Sequence, residues 1–599
     1  MNFQDFLNFK DFMNSKDVSN PPRQPMSKGK SILVNFLAVV IIGSVYFYIS
    51  LPAINPQSPE LYIFIALLCI VYFLSAMITS GLSLAGKTVP EYFRFMKTQC
   101  KPILFILILL TALVAVGSVS SMPLFRASAY RNLLQVESGD FAADVDEISY
   151  DQIPMLDDAS AQRLGNRVLG DLDDMVSQFE VASTYAQINY QNRPVRVTYL
   201  NYGDLVKWFT NRSKGLPAYI IIDMVSQEAE VVRLSEGMKY SPSEPLNRNL
   251  YRHLRFQYPT YMFSTPVFEI DEEGNPWWIC PKLEKTIGLF GGDDINGAVL
   301  MNAITGESSY YEEVPTWVDR VYSADLIIQQ YDFHGLYVNG FINSLLGQKD
   351  VTVTTDGYNY IALNDDVYMY TGVTSVTSDQ SNVGFLLTNQ RTKATKYYRC
   401  SGATEYSAMD SAQGVVQHLN YKATFPLLLN ISGEPTYFMA LKDRAELVKM
   451  YAMVNVRQYT VVSTGSSVAQ CEQEYIRLLS NNGISTEIEL PETSSSGRLA
   501  EIRTAVLDGN SYYFLRLEGE EVFYSVSAAV NPIAVTLNVG DTVSIEHAID
   551  TGEIPLSILD GYTVTVEGKR APAPITSPST ISDSDSTPEP VGTAIIYGL

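Results

Sequence analysis

Ile32–Ile54 reads ILVNFLAVVIIGSVYFYISLPAI, and two further runs of the same kind follow at Leu61–Leu84 and Ile103–Phe125. None of the three contains Asp, Glu, Lys or Arg. A helix needs roughly 20 apolar residues to cross a hydrocarbon core of about 30 Å, and helices satisfy every backbone amide internally, as the bilayer requires. The runs therefore predict three transmembrane helices. Three crossings place the N-terminal arm, residues 1–30, and everything beyond Arg126 on opposite sides of a membrane. The first run is not a signal peptide: it is long, begins after 30 residues, lacks a small-x-small cleavage site and precedes two more spans.

Orientation follows from the basic residues beside the spans. Arg23, Lys28 and Lys30 precede the first, and Lys87, Arg94, Lys97 and Lys101 occupy the link between the second and third. Asn55–Glu60, between the first two, has no Lys or Arg, and only Arg126 and Arg131 follow the third. The positive-inside rule puts the arm and the 85–101 link in the cytoplasm and residues 126–599 outside. The expected location is a plasma membrane, crossed three times. Lack of a eukaryotic signal peptide and of a disulfide framework fits a bacterial, Gram-positive envelope.

Charge divides the same way. Of 42 Lys/Arg and 65 Asp/Glu, residues 1–125 hold nine and five; the remaining 33 and 60 give a balance of −27. So acidic a surface repels phosphate backbones, which excludes nucleic acid as a partner, and it keeps an exported domain soluble. Five cysteines make no framework: Cys69 lies in the second span and Cys100 in the cytoplasmic link. Cys280, Cys400 and Cys471 remain outside, an odd number without a CxxC pair. Buried free thiols are expected, with one bridge plus one free thiol as the alternative.

Residues 126–194 read as a helical neck. Val136–Asp151 is acidic and reads as a spacer or a frayed helix, and Asp157–Phe179 has helical spacing with Leu164, Val168, Leu169, Leu172 and Met175 on one side. Beyond Val195 one theme recurs: an apolar strand, a polar turn, a second strand. It is found in Ala218–Arg233, Gly297–Tyr311 and Gly384–Arg399. After the first copy come a predicted helix, Ser243–Phe256, and a strand pair, Val267–Cys280. After the third come a helix, Ser407–Tyr421, and a strand pair, Phe425–Leu441. This order marks an internal duplication over 195–350 and 351–482.

Asn302-Ala303-Ile304-Thr305-Gly306-Glu307 and Glu269–Trp278, with echoes at Asn389–Thr395 and Glu434–Phe438, carry a resemblance to the PepSY domain family. The resemblance implies tandem units of a helix laid on an antiparallel sheet. It also implies a binding or regulatory role at the cell envelope, where such modules inhibit proteases and tune assemblies. Trp317–Lys349 departs from the family's pattern.

Six short β-like segments between Leu499 and Glu567, separated by Asp-Gly, Gly-Glu, Asn-Pro and Gly-Asp turns, predict a small barrel over 496–570, OB-like or SH3-like in size. One of the six is Ile533–Leu537. The tail, 571–599, rich in Pro, Ser, Thr and Asp, cannot bury a core and reads as disordered. The fold class is thus a membrane-anchored α+β protein: three N-terminal transmembrane helices, tandem PepSY-like helix-on-antiparallel-sheet units and a C-terminal small β-barrel.

Catalytic signals are sparse. There are four histidines, His253, His334, His418 and His547; two occupy equivalent places in the duplication, which favours a structural role. Asp332 and His334, two residues apart, are the candidates for proton transfer. No Gly-x-Ser-x-Gly elbow, HExxH, Walker loop or GxGxxG after a strand is present. Gly291–Gly297 offers Asp293, Asp294 and Asn296 as oxygen ligands for Ca²⁺, but without D-x-D-x-D spacing it reads as an exposed turn. No cofactor is implied. Carboxylate pairs for glycan hydrolysis, set roughly 5–9 Å apart, are a property of the fold rather than of sequence. Thirty-eight tyrosines, in stretches such as Tyr358-Asn359-Tyr360, Tyr368-Met369-Tyr370 and Tyr397-Tyr398, suit both cross-strand packing and binding surfaces.

The leading expectation is a non-enzymatic interaction or regulatory module with an unidentified protein partner. An envelope hydrolase is the second, requiring Asp332 and His334 to line a cleft. The third is an accessory of a membrane complex, packing through Ala112, Ala115, Gly117 and Ser118 of the third span. With no charge in any span, an ion path through this chain alone is not expected.

Overall fold

Helices α1 (Lys28–Ser50), α2 (Pro59–Thr79) and α3 (Lys101–Ser120) are each long and apolar enough to cross a membrane. The computed structural model describes residues 28–79, 100–147, 153–154, 156–363, 365–375, 381–482, 484, 492–507, 510–528, 531–548 and 558–566. The N-terminal arm to residue 27, the end of the second predicted span, most of the 85–101 link and the tail lie outside these residues.

α1 stops at Ser50, short of the predicted Ile54, because Leu51 takes a positive φ of 51° and Pro52 cannot continue a helix. α1 and α2 pack along their length around Asn35, whose Oδ1 accepts from Ser75 Oγ at 2.8 Å and Thr79 Oγ1 at 3.1 Å. Between apolar helices such side-chain bonds are a main source of attraction. α3 buries only Ile103 and Gly117.

The ends of the three helices nearest the sheets are clamped to the folded part. Arg255 Nε donates to Leu51 O at 2.9 Å, Arg252 Nε to Tyr48 O at 3.1 Å, and Ile54 N to Pro259 O at 2.8 Å. Gln57 Nε2 donates to Lys285 O at 2.7 Å. Ser121 Oγ accepts from both Leu289 N and Phe290 N. A Cβ on Gly117 would lie 2.7 Å from the Leu289 and Phe290 side chains, so this glycine is consumed by the docking loop. Helix α4 (Pro123–Arg131) then leads away from the base.

Two compact units follow from the chain's contacts, Met1–Ser485 and Thr486–Leu599. The first contains four sheets of one plan. In each, a helix is followed by two short strands that lie end to end along the same edge of a long strand, and a meander of two more strands completes the sheet. The first module runs α6 (Asp158–Gly170), β2 (Phe179–Val181), β3 (Ala186–Tyr190), β4 (Arg193–Tyr202), a short α7 (Leu205–Asn211), β5 (Leu216–Asp223) and β6 (Ala229–Met238). The second runs α8 (Leu250–Gln257), β7 (Met262–Phe263), β8 (Val267–Ile270), β9 (Pro276–Ile287), β10 (Gly291–Asn302) and β11 (Ser308–Tyr311). The third is α9 (Ala324–Leu336) with β12 (Thr352–Thr354), β13 (Asn359–Leu363), β14 (Asp366–Ser375), β15 (Ser381–Asn389) and β16 (Thr395–Ala403). The fourth is α10 (Glu405–Val415) with β17 (Lys422–Ala423), β18 (Leu427–Ile431), β19 (Glu434–Lys442), β20 (Val448–Asn455) and β21 (Val462–Gly465), closed by α11 (Val468–Asn481). The repeat is thus finer than the twofold one read from sequence, and the first module begins at Asp158, before Val195.

The turn joining the last two strands of a module is built alike in three of them. Asp223 Oδ1 accepts from Val225 N and Ser226 N, Asn302 Oδ1 from Ile304 N and Thr305 N, and Asn389 Oδ1 from Arg391 N and Thr392 N. Each turn closes through a left-handed residue, Gln227, Gly306 or Lys393. Asn and Asp can mimic a backbone turn in this way, so the polar turn between β-formers has a specific cause. The first two modules share one core, including Tyr219, Trp278 and Met301, and the last two share another, including Phe385, Tyr437 and Tyr475. All five cysteines are buried and unbridged.

Several predicted elements differ. Val136–Asp151 is no spacer: β1 (Val136–Gly139) pairs in parallel with β16, and α5 (Phe141–Asp144) packs Phe141 into the second core, while 148–151 lie outside the described residues. α6 ends at Gly170, not Phe179. α8 begins only at Leu250, capped by Asn249, because Pro242 and Pro245 interrupt the predicted Ser243 start. α10 yields at Val415 to a 3₁₀ turn, Gln417–Leu419, ended by left-handed Asn420.

The second unit is a closed five-stranded barrel. β22 (Glu492–Leu507), β23 (Asn510–Leu517), β24 (Phe523–Ser527), β25 (Thr542–Ala548) and β26 (Ile558–Val566) close in the order β22-β23-β24-β26-β25. The long β22 pairs with β25 through its first half and β23 through its second. The predicted strand Ile533–Leu537 is instead a 3₁₀ turn, Pro532–Thr536, opened by proline and packing Ile533 and Ala534 into the barrel core.

Candidate functional site

Asp332 and His334 both lie on α9 but serve different neighbours. Asp332 Oδ1 accepts from Thr354 N at 2.9 Å and Thr354 Oγ1 at 3.1 Å, tying α9 to β12. His334 Nδ1 donates to Arg131 O at 3.0 Å, tying α9 to α4. Burial raises the Asp332 carboxyl and lowers the His334 imidazolium. Two residues apart on a helix, they do not face each other, and the structure gives them packing roles rather than a shared proton path.

The Gly291–Gly297 segment is strand, not loop. Asp293 pairs with Lys285 across the β9–β10 ladder, and both Asp294 oxygens accept from Lys393 Nζ at 2.7 Å. Asn296 donates to Glu284 Oε2 and accepts from the Tyr310 hydroxyl, each at 2.9 Å. Lysines already neutralise both carboxylates, and among the described residues no group of three His, Cys, Asp or Glu is placed to hold a metal. His253, on α8, donates through Nε2 to Gly306 O at 2.9 Å and packs on Tyr240.

The most chemically unusual place lies where the sheets of the first unit meet. β3 lies against β8 and β13, and β13 against β18. A hollow of about 660 Å³ opens there, with Asp158, Tyr185, Arg196, Arg320, Tyr358 and Tyr360 among its walls. A second hollow of about 570 Å³ shares Asp158, Tyr185 and Arg320. β4 delivers Arg196 at 8 % exposure, in a strand buried on both faces. Its Nη1 donates to Asp158 Oδ1 at 2.7 Å, but its Nε is buried without a partner. Burial draws this guanidinium below the ordinary arginine range.

Arg320 is held by its backbone. Glu269 on β8, fully buried, accepts from Asp319 N and Arg320 N at 3.0 Å each. Burial pushes the Glu269 carboxyl up to about 8, and Asp319 is raised by burial and by the neighbouring Glu269. Asp319 Oδ2 accepts from Asn189 N at 2.7 Å, fastening the same segment to β3. The Arg320 guanidinium lies 5.5 Å from the Tyr360 ring centre, and its Nε has no hydrogen-bond partner. The Tyr185 hydroxyl is also buried and unpartnered; burial, then Asp158, pushes it up to about 12. A Cβ on Gly165 would lie 2.2 Å from that hydroxyl, so a glycine in α6 makes room for it.

Opposite, at the start of α6, Lys442 Nζ donates to Asp157 Oδ1 at 2.6 Å and Ser160 Oγ at 2.7 Å. Burial would raise Asp157, but the bonds from Lys442 and Ser160 bring it below the usual carboxylate range. The arrangement can bind through directional donors; nothing in it pairs a nucleophile with a base. Of the sequence's tyrosine stretches, Tyr358-Asn359-Tyr360 lines the hollow, whereas Tyr370 and Tyr398 are core residues. Arg196 carried no sequence signal beyond a lone charge among β-formers, Val195-Arg196-Val197, and Arg320 none beyond an adjacent charge pair, Val318-Asp319-Arg320-Val321.

No protein-family model matches the chain, and no curated protein matches it. Among solved structures, a levansucrase mutant from B. megaterium aligns over 73% of this chain and 96% of its own, at 10% identity and a TM-score of 0.16. A likeness at that level carries no argument.

Proposed function

We propose that this chain is a membrane-anchored interaction or regulatory module of a bacterial cell envelope, non-enzymatic, with residues 126–599 outside the cytoplasm. The observation that carries the reading is the pairing of two features in one unit. A four-module sheet assembly is bonded to the ends of three membrane helices, and its centre holds a hollow whose buried donors lack acceptors. A ligand-binding hollow fixed to an anchor suits recognition at a membrane surface. The helix-then-meander order and the Asx turns at Asp223, Asn302 and Asn389 support a PepSY-like ancestry for the modules. The barrel's first-second-third-fifth-fourth strand order supports an OB-like reading of the second unit.

In-cell crosslinking of the tagged full-length protein against a version lacking residues 126–570 tests the role. A discrete partner lost with the deletion is expected, and recovery of the protein alone would overturn the reading. Orientation has its own test. Because all five cysteines are buried, Ser213→Cys at an exposed turn gives a single reactive thiol. It should react with a membrane-impermeant maleimide in intact cells; labelling only after lysis would invert the topology.

One observation favours an accessory role within a larger membrane complex. Ala112, Ala115 and Ser118 remain exposed along α3, a small-residue face of the sort that admits a close helix neighbour.

A further inference from the structure

We infer that the hollow between Arg196 and Arg320 is a binding site for a carboxylate carried on an apolar body. Three atoms on residues that line it, Arg196 Nε, Arg320 Nε and Tyr185 Oη, are buried without a partner and able to donate, and a buried donor without an acceptor is costly enough that proteins seldom leave one unmet. They call for an acceptor-rich group.

The local charge selects which. Asp158 offsets Arg196 and Asp157 offsets Lys442, whereas no carboxylate lies within ion-pair distance of Arg320 among the described residues. Arg320 therefore enters no ion pair, and with the buried acids Glu269 and Asp319 beside it the site suits a monoanion better than a phosphate dianion. Guanidinium forks also match the planar geometry of a carboxylate. The remaining wall is mixed: polar Gln162, Asn359 and Thr424 sit beside Leu156, Phe425 and Met439, so the group bearing the carboxylate has some apolar surface to cover. The volume, about 660 Å³, is that of a small-molecule site. Glu269 acts as a positioning residue, its two backbone hydrogen bonds setting where the Arg320 guanidinium can reach.

This deepens the binding-module reading and rests on it. The carboxylate could be that of a free small acid or of a peptide's C-terminus. Calorimetric titration of the detergent-solubilised full chain separates the two. The probes are benzoate, N-acetyl-phenylalanyl-alanyl-alanine as free acid, the same peptide as its C-terminal amide, and inorganic phosphate. Saturable binding of benzoate alone, or of the free-acid peptide alone, supports the site and names the source. The amide should fail to bind. Arg320→Met should weaken the bound carboxylate by roughly 10- to 100-fold, the usual worth of a charge-assisted hydrogen bond. Asp158→Asn frees Arg196 from its ion-pair partner and should tighten binding several-fold, a change in the direction that misfolding does not produce. The inference is overturned if neither carboxylate binds at millimolar concentration, if phosphate or the amide binds as well, if Arg320→Met binds undiminished, or if Asp158→Asn fails to tighten. Failure here would leave the crosslinking outcome standing, and absence of a cellular partner would leave a positive titration standing.

Discussion

Glu472, on α11, is a carboxyl that folding makes harder to ionise. Burial first, and the nearby Glu147 second, push it up to about 7, and its Oε2 is buried without a partner. In the unfolded chain it titrates near 4.3. Between those values the folded state holds a proton that the unfolded state has lost. The associated stability is therefore complete below the unfolded value and disappears as pH rises through the folded one. Glu269, raised to about 8, acts with the same sign over a window reaching higher pH. The thermal midpoint of the first unit should fall as pH is raised from about 5 to about 8. Glu472→Gln should flatten the lower part of that slope; a slope unchanged in the variant would mean that Glu472 is not buried as described.

At the scale of an element, the Asx turn is the unit that repeats. Gly306 sits at φ +77°, and a Cβ there would lie 2.3 Å from the Tyr240 ring. Gly306→Ala should thus destabilise by about 2 kcal/mol or more, combining backbone strain with overpacking. Asn302→Ala, which strands Ile304 N and Thr305 N, should cost about 1–2 kcal/mol. Denaturant midpoints of the two variants check both numbers and their order. Asn302 to Glu307 was legible in the sequence because asparagine, threonine and glycine each have a known turn role. The counterpart Asp223 to Glu228 was read only as a polar turn, since Gln227 adopts the left-handed conformation without glycine to announce it. The start of α8 was misplaced because propensity outran proline: apolar spacing in Ser243–Phe256 says nothing of Pro245.

For the whole molecule, the clamp at the helix ends decides whether the sheets move independently of the membrane. Arg255 is 8 % exposed and donates to the carbonyls of Leu51, Tyr258, Pro259 and Tyr261. Arg255→Ala would remove the donor that the Leu51, Tyr258 and Tyr261 carbonyls share, leaving Pro259 O to Ile54 N, and loosen α1 from the second module. Hydrogen exchange should then speed up over residues 258–263 and 285–291, while the core strands β5 and β20 keep their protection. Exchange unchanged at the clamp would show that the docking loop is held by Ser121 and Gln57 alone.

Much of this protein's placement was fixed by composition alone. Uncharged runs of more than 20 residues have one stable state in a bilayer, so the three helices could be read directly from their letters. The short alternating strands and their turns were readable for the same local reason. The centre of the first unit was not. Asp158, Tyr185, Arg196, Glu269 and Arg320 come from positions scattered over more than 160 residues. What makes Arg196 unusual is not its identity but its burial with Asp158 as ion-pair partner and its Nε unmet. β1 escaped for a related reason: four residues, VESG, become a strand only because β16 offers an edge. Local hydrogen bonding and apolar length act through neighbours in sequence, whereas desolvation and unmet donors exist only once distant strands have closed around them.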